Sequence, residues 1–405
     1  MEGEIRLREH EQREVHLSAQ EVAALREVFK SELAIYATGE LGRYVVAAGS
    51  QVGFVALPGG RTLVIEPKVR IDTLFALLAA VYDPRREFLR EEPQTYTTVR
   101  GLFELVVRIY AAQVEDLIAR GVLHGYRMFT DEPAAVRGRL LVAETLRRRP
   151  GLQHRQTCRF SQFTADVPEN RILRWTSFCL QPFRYREAAL AGRLRRVGRA
   201  LAGVLLDPTA RQLFERLSYH RLNDPYRPAL SLARLLLDCL TFSGSAGEEP
   251  FLGYLIDMNE LFERYVGAVL RRAAPGWGVL LREQEHHALD EARQVHLRPD
   301  ITLYGRDGPI LVLDAKYKLE AAHADLYQML AYCHALGTGE AVLVHPASEQ
   351  APFGSVAVRG PGNVRVHYRS LDLGGGPAEL EVQGSALAQA VWAVAAGPPG
   401  VQTPG

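Results

Sequence analysis

The chain has 405 residues, enough for two or three domains, and its shares of hydrophobic (47%) and charged (23%) residues are ordinary for a globular protein. The formal net charge is only +1, so a surface that binds nucleic acid would have to be local. No apolar run is long enough to cross a membrane, and the charged N-terminus lacks the apolar core of a signal peptide. The four cysteines form no Cys-x-x-Cys pair, which disfavours a zinc site and favours reduced thiols in a cytoplasmic protein.

Residues 1–95 predict a small, mixed, β-rich domain. The tetrapeptide Ser18-Ala19-Gln20-Glu21 is typical of a capping box that opens a helix reaching Leu33. Three strand-like runs separated by glycines follow and predict hairpins, at 43–48, 52–57 and 62–66. A helix is then expected at 72–81.

Residues 96–240 predict a helical middle domain. The expected helices span 98–120, 169–180, 182–206 and 231–239. The third of these carries arginines outside its apolar stripe, at Arg193, Arg195, Arg196 and Arg199. Such a cluster is able to hold a DNA backbone, but the pattern favours a solvated helix face in a chain whose basic residues are mostly arginine.

Glycine, serine and proline dominate residues 241–250, which predicts a linker before a C-terminal domain at 251–378. In that domain a helix is expected from Asp257 to Arg272, followed by strands at 279–284, 341–345 and 364–372 around a central hairpin. The result is a multidomain α/β protein whose last domain has a mixed sheet flanked by helices. Residues 379–405 are expected to form a tail with one short helix, 387–396.

The hairpin, at 297–318, consists of two short apolar runs joined by a turn rich in glycine, proline and aspartate. Asp300 lies on the first run, and the second run ends in Asp314-Ala315-Lys316. Because hairpin strands lie side by side and residues two apart share a face, Asp300 and Asp314 are expected to meet at one end, with Lys316 on the same side.

Two carboxylates beside a lysine suit phosphodiester hydrolysis. The carboxylates can hold Mg²⁺, which lowers the pKa of a bound water. The lysine can orient or deprotonate that water, or stabilise the pentacovalent phosphate. The Pro-Asp and Asp-Ala-Lys pattern resembles the PD-(D/E)xK nuclease superfamily. The alternative is a surface hairpin with a weak Lys–Asp ion pair.

Two flanking helices add supporting candidates. On the helix expected at 321–336, Gln328 and Tyr332 lie four residues apart and so on one face. A Gln-x-x-x-Tyr helix after the Asp-x-Lys strand resembles the RecB-like branch of the superfamily, which implies a place in the active site or on the DNA backbone; an ordinary amphipathic helix is the alternative. Glu263, on the preceding helix, is the candidate for a further acid, with a surface ion pair to Arg264 as its alternative.

The whole chain also resembles the McrC family, the nuclease subunit of McrBC restriction systems. The stretches that carry the resemblance are Val52-Gly53-Phe54, TLVIEPKV (62–69), VRGRL (136–140), ENRIL (169–173), RLNDPYRPALSLAR (221–234), DMNELFERYV (257–266), the hairpin and YQMLAY (327–332). The resemblance implies a partner, a hexameric GTP-hydrolysing AAA+ ring of the McrB type that recognises modified cytosine. It implies that an N-terminal part of this chain binds and stimulates that ring, while the C-terminal domain cuts DNA.

These observations favour a Mg²⁺-dependent endonuclease with Asp300, Asp314 and Lys316 as the catalytic residues. The sequence contains no phosphate-binding G-x-x-x-x-G-K-[ST] motif, so a separate subunit is expected to supply nucleotide hydrolysis. Two other interpretations stay open: a non-catalytic adaptor that binds only DNA or the motor, and a stand-alone nuclease of repair or recombination.

Overall fold

A computed structural model describes residues 3–29, 33–83, 96–148, 156–243, 251–318, 323–347, 354–358 and 363–397. The strands are β1 (Glu4–Arg8), β2 (Gln12–His16), β3 (Leu33–Ala37), β4 (Arg43–Ala48), β5 (Gln51–Ala56), β6 (Thr62–Glu66), β7 (Gly125–Asp131), β8 (Arg139–Leu140), β9 (Cys158–Thr164), β10 (Leu240–Ser243), β11 (Phe251–Asp257), β12 (Leu280–Glu283), β13 (His287–Ala288), β14 (His296–Leu297), β15 (Ile301–Tyr304), β16 (Pro309–Ala315), β17 (Glu340–Pro346), β18 (Ser355–Ala357) and β19 (Arg365–Leu371). The helices are α1 (Ala19–Phe29), α2 (Ile71–Tyr82), α3 (Val99–Arg120), α4 (Val142–Arg148), α5 (Pro168–Leu180), α6 (Ala188–Ala200), α7 (Ala210–Leu213), α8 (Arg227–Cys239), α9 (Met258–Trp277), α10 (His323–Leu336) and α11 (Pro377–Ala395). The predicted mixed α/β architecture is confirmed.

The chain divides into two compact units, of which one is discontinuous. The first unit contains residues 1–102 and 239–405, and the second contains residues 103–238. None of the described helices is both long and apolar enough to cross a membrane.

In the first unit, the N-terminal strands form a sheet with strands from much later in the sequence. Its order is β1-β6-β5-β11-β10, and β11 pairs antiparallel with β5. The segment predicted as a linker therefore joins two paired strands, β10 and β11; of it, residues 244–250 lie outside the described range. At Gly53 this pairing demands glycine, because φ is +150° and a Cβ would lie 1.9 Å from the carbonyl oxygen of Tyr254.

Reciprocal hydrogen bonds between Ser18 and Glu21 fix the start of helix α1. The backbone N–H of Ser18 donates to Oε2 of Glu21 at 2.8 Å, and the N–H of Glu21 donates back to Oγ of Ser18 at 3.3 Å. This reciprocal pair is the predicted capping box.

A second sheet of the first unit has the order β12-β15-β16-β17-β19-β18. Strands β16, β17 and β19 run parallel, whereas β12 and β15 are antiparallel to their neighbours. The apolar runs of β16 and β17 are almost wholly buried, as expected for central strands. Helix α10 packs on this sheet through Met329 and Cys333, which contact the cluster of Val312, Leu343 and Val366.

Helix α11 is longer than the helix predicted at 387–396, and it belongs to the first unit. The Tyr265 hydroxyl on α9 donates to the carbonyl of Leu380 at 3.1 Å. The rings of Trp277 and Trp392 stack at 5.3 Å.

The second unit contains the expected helices and a three-stranded sheet, β7-β9-β8, that the sequence analysis did not predict. The predicted helix 182–206 is shorter in the structure, spanning Ala188–Ala200. The apolar spacing that predicted the longer helix continues past the last helical residue, where Leu201 and Val204 are also buried. Of the arginines on this helix, Arg193 and Arg196 lie 2.8 and 3.4 Å from Glu115, so part of the cluster serves an internal ion pair.

Candidate active site

The hairpin register places Asp300 opposite Asp314. Strands β15 and β16 pair with Ile301 opposite Leu313, and Asp300 comes directly before the first of these. The backbone N–H of Ala315 donates to Oδ2 of Asp300 at 2.7 Å. Both carboxylates are buried, with exposures of 8% for Asp300 and 1% for Asp314. The structure thus brings the two predicted acids together at one end of the hairpin.

Lys316 lies on the same side. Its Nζ is 2.6 Å from Oδ2 of Asp314, and its backbone N–H donates to the carbonyl of Val344 at 2.8 Å. The ammonium therefore faces Oδ2 of Asp314, whereas Oδ1 of Asp314 has no hydrogen-bond donor among the described residues. Burial lowers the pKa of Lys316, but the carboxylates of Asp314 and Asp300 outweigh it and hold the pKa above its ordinary value. Lys316 is therefore a charged ammonium at neutral pH.

Burial also raises the pKa values of the two aspartates. It raises the pKa of Asp300 to about 6, with a further contribution from the charge of Glu263. It raises the pKa of Asp314 to about 6, with a further contribution from Asp300. Close, buried carboxylates resist ionisation together, because each charge disfavours the next. A divalent cation between them would remove that repulsion.

Glu263 reaches the same site from α9 through Gln284. The Gln284 side-chain amide donates to Oδ1 of Asp300 at 2.9 Å and to Oε1 of Glu263. Burial raises the pKa of Glu263, the hydrogen bond from Gln284 lowers it, and the charge of Asp314 raises it. The alternative partner, Arg264, instead contacts Glu260 at 3.4 Å and the hydroxyl of Tyr82 at 2.7 Å.

Gln284 is the residue that the sequence analysis missed. It follows β12, and the strand register places it opposite Asp300. Its φ is +52°, in the left-handed region that residues other than glycine seldom adopt. Strained backbone of this kind concentrates at functional sites. In the sequence, Gln284 is recognisable only as a polar residue at the end of a predicted strand.

Helix α10 contributes Gln328 and Tyr332. The Gln328 amide donates to the Tyr332 hydroxyl at 2.6 Å, and that hydroxyl donates to the carbonyl of Arg298 at 3.2 Å. Burial and the nearby charge of Asp314 raise the pKa of Tyr332 to about 12, so it stays protonated. Tyr332 thereby fixes the segment that leads into Asp300.

The carboxylate oxygens of the site suit a hard cation, but only two carboxylates are placed to bind one. Carboxylate oxygens are the ligands that Mg²⁺ prefers, and Mg²⁺ commonly uses one or two carboxylates while keeping several waters. The buried Oδ1 of Asp314, which lacks a hydrogen-bond donor among the described residues, is an atom that a cation would satisfy. In the described part of the chain, no group of three or more His, Cys, Asp or Glu residues is placed to hold a metal ion together. The fit is therefore to the pair Asp300 and Asp314.

Comparisons with known proteins identify the family. A family model described as "McrBC 5-methylcytosine restriction system component" matches residues 46–346. No curated protein matches the chain.

Among solved structures, one similar chain comes from the refined half-complex of a tetradecameric assembly of Thermococcus gammatolerans McrB AAA+ hexamers with bound McrC. It has a TM-score of 0.56 and 19% identity, over 96% of this chain and 100% of that one. Another comes from the cryo-EM structure of the Thermococcus gammatolerans McrBC complex, with a TM-score of 0.41 and 20% identity, over 67% of this chain and 88% of that one. The first likeness shows a shared fold, and the family model covers well over half of the sequence. The chain therefore belongs to the McrBC family of 5-methylcytosine restriction system components.

Proposed function

We propose that this chain is the DNA endonuclease subunit of a modification-dependent restriction complex, with an active site of the PD-(D/E)xK type. The observation that carries the proposal is the buried pair Asp300 and Asp314 with the Lys316 ammonium 2.6 Å from Asp314. An ion pair that served only stability would gain little from two buried, mutually repelling acids. Such a pair is instead typical of sites that hold a cation.

Asp300 and Asp314 would hold the Mg²⁺. When bound, the ion supplies charge neutralisation at the phosphate and a water of lowered pKa. A water oxygen attacks the phosphorus, the bond from phosphorus to the bridging oxygen breaks, and one strand end keeps the phosphate while the other gains a hydroxyl. Because Lys316 is protonated, its role is to orient the water and to stabilise the negative charge on the phosphate.

The supporting residues act by positioning the catalytic residues Asp300, Asp314 and Lys316. Gln284 orients Asp300 and Glu263, whereas Tyr332, held by Gln328, fixes the backbone at Arg298. Glu263 is a supporting acid, joined to Asp300 by the Gln284 amide, which donates to Oε1 of Glu263 and to Oδ1 of Asp300.

We propose further that the chain works with a GTP-hydrolysing AAA+ hexamer of the McrB type, which recognises modified cytosine, and that it stimulates the GTPase of that ring. Family membership and the fold shared with a chain of a McrB–McrC assembly support this partner.

The second candidate is a non-catalytic adaptor. One observation favours it: the lack of a three-residue metal group among the described side chains. Cleavage of methylated and unmethylated DNA, with the partner and with or without GTP, separates the two functions. The nuclease requires Mg²⁺-dependent cuts in methylated DNA that Asp314→Ala abolishes; an adaptor would leave Asp314→Ala and the parent chain equivalent.

A further inference from the structure

A cavity of about 640 Å³ opens next to the candidate active site. The cavity lies at the C-terminal ends of β16, β17 and β19. Its lining includes Tyr317, the residue that follows Lys316. The carboxyl ends of parallel strands are where open α/β sheets bind ligands. The volume suits a small ligand of nucleotide size.

The cavity is lined by two of the few lysines in the protein. Only four of the 48 basic residues are lysines: Lys30, Lys68, Lys316 and Lys318. Lys68 and Lys318 line the cavity, and Lys316 lies at Asp314; Lys30 is outside the described residues. A lysine ammonium is a compact, mobile point charge that binds phosphate, whereas arginine offers a rigid fork. In a chain this rich in arginine, the grouping of three lysines indicates a site that needs point charges.

Both cavity lysines are held in place. The Lys318 ammonium donates to Oδ1 of Asp325, at the start of α10, at 2.8 Å. The backbone N–H of Lys68 donates to Oε2 of Glu9 at 3.2 Å. Among the described residues the exposed Lys68 forms no ion pair within 4 Å, and its ammonium acts on Glu9 only through the longer-range attraction of its charge.

Glu9 joins the two lysine-bearing segments. It is 1% exposed, and its Oε2 also accepts from the hydroxyl of Tyr317 at 3.3 Å. The Tyr317 ring in turn packs against Phe262 of α9 at 5.7 Å. Burial raises the pKa of Glu9, and the backbone N–H and the charge of Lys68 oppose that rise. The other acid of the wall, Asp372, accepts from the backbone N–H of Gly374 at 2.8 Å.

We propose that this cavity binds a nucleotide of the DNA strand next to the scissile bond, with the phosphate between the ammonium groups of Lys68 and Lys318. The inference rests on the proposed nuclease function, because it places this phosphate beside the one that Lys316 contacts. Lys68 and Lys318 are DNA-positioning residues that set which bond reaches Asp300 and Asp314.

The test measures binding of the full chain to duplex DNA without divalent ions, over a range of salt concentrations. Lys68→Ala and Lys318→Ala should each weaken binding severalfold and reduce the slope of log affinity against log salt by about 1. Lys68→Arg should keep the slope. The matched control is Arg306→Ala, an exposed basic residue at the turn end of the same hairpin.

Three outcomes would overturn the inference: a Lys68→Ala, Lys318→Ala double variant that binds like Arg306→Ala, a parent chain that does not bind duplex DNA, or free GTP that competes for the lysines better than DNA does. The third result would assign the cavity to a free nucleotide. Because binding is measured without cleavage, this result can be told apart from a failure of the nuclease assignment, which fails if the parent chain does not cut or if Asp314→Ala still cuts.

Discussion

The side-chain amide of Gln284 lies 2.9 Å from Oδ1 of Asp300, while the backbone N–H of Ala315 lies 2.7 Å from the other oxygen of the same carboxylate. Asp300 is thus held from both neighbouring strands, which leaves it one orientation. The same amide of Gln284 donates to Glu263 on α9. One strained residue therefore connects two acids that come from different elements of the fold.

Gln284→Ala is expected to weaken cutting by about 10- to 100-fold, as is usual when the hydrogen-bond partner of a metal ligand is lost. The physical reason is that Asp300 loses one of the two donors that orient it. The measurement is the Mg²⁺ concentration for half-maximal cleavage, which should rise. Gln294→Ala, at an exposed position nearby, is the control.

Gln284→Gly separates loss of the amide from loss of stability. Glycine adopts the φ of +52° at this position without the strain that alanine would carry. The Gly variant should therefore unfold at a higher temperature than the Ala variant but lose as much cleavage. Normal Mg²⁺ dependence in both variants would show that Gln284 does not position Asp300.

Asp300→Asn, Asp314→Asn and Lys316→Ala are each expected to abolish DNA cleavage while leaving partner binding and GTPase stimulation intact. Asparagine keeps the size of the side chain but removes the charge that a cation requires. Cleavage and GTP turnover are measured in the same mixture. Asp307→Asn, in the exposed turn of the hairpin, should cut normally; residual wild-type cutting by Asp314→Asn would refute the assignment.

The raised pKa values of Asp300 and Asp314 predict how stability depends on pH. Both pKa values are about 6 in the folded protein, against 3.8 ordinarily. Between pH 4 and 6 the folded state therefore binds more protons than the unfolded chain, and the metal-free protein loses stability as the pH rises through this window. Each pKa unit corresponds to about 1.4 kcal/mol.

Thermal unfolding in the presence of a chelator, from pH 4.5 to 8, tests this. The double variant Asp300→Asn, Asp314→Asn should lose less stability than the parent as the pH rises. Added Mg²⁺ should raise the melting temperature of the parent more at pH 7.5 than at pH 5, because protons compete with the ion for the same oxygens. Parallel pH profiles for the two proteins would contradict the shifted pKa values.

The sequence predicted the hairpin and the position of its acids because both depend on local signals. The apolar runs that became β15 and β16 flank a turn rich in glycine, and alternation along the strand then fixes which side chains share a face with Asp314. The capping box at Ser18 is local in the same way. The hairpin strands and the start of α1 lie within a few residues of the expected positions, whereas the helix predicted to reach Leu33 ends at Phe29 and Leu33 begins β3.

The features that escaped prediction depend on distant contacts. Strand β11 pairs with β5 across about two hundred positions of sequence, and no local pattern records that pairing. In β7 and β9 the two aromatic residues lie three positions apart, so neither segment shows the strict alternation that predicts a strand. Gln284 and Glu9 acquire their roles only when separate segments of the chain meet.

Two stretches that resemble the family, ENRIL and RLNDP, prove to contact each other through Asn223 and Glu169. The Asn223 amide donates to Oε1 of Glu169 at 2.9 Å and to the carbonyl of Ser218 at 2.9 Å. Both side chains are buried. A buried carboxylate that loses its donor is costly, so Asn223→Ala is expected to lower the free energy of unfolding by about 1–3 kcal/mol.

Urea unfolding of Asn223→Ala, Glu169→Ala and the double variant measures that coupling. The two changes should be non-additive, because each removes the same hydrogen bond. Leu222→Ala, at a side chain that is 72% exposed, is the control. The catalytic pair belongs to the other compact unit, so cleavage per folded molecule should not change. Additive effects, or a loss for Asn223→Ala no larger than for Leu222→Ala, would mean that this stretch serves something other than stability, and contact with the AAA+ partner would then be the role to test.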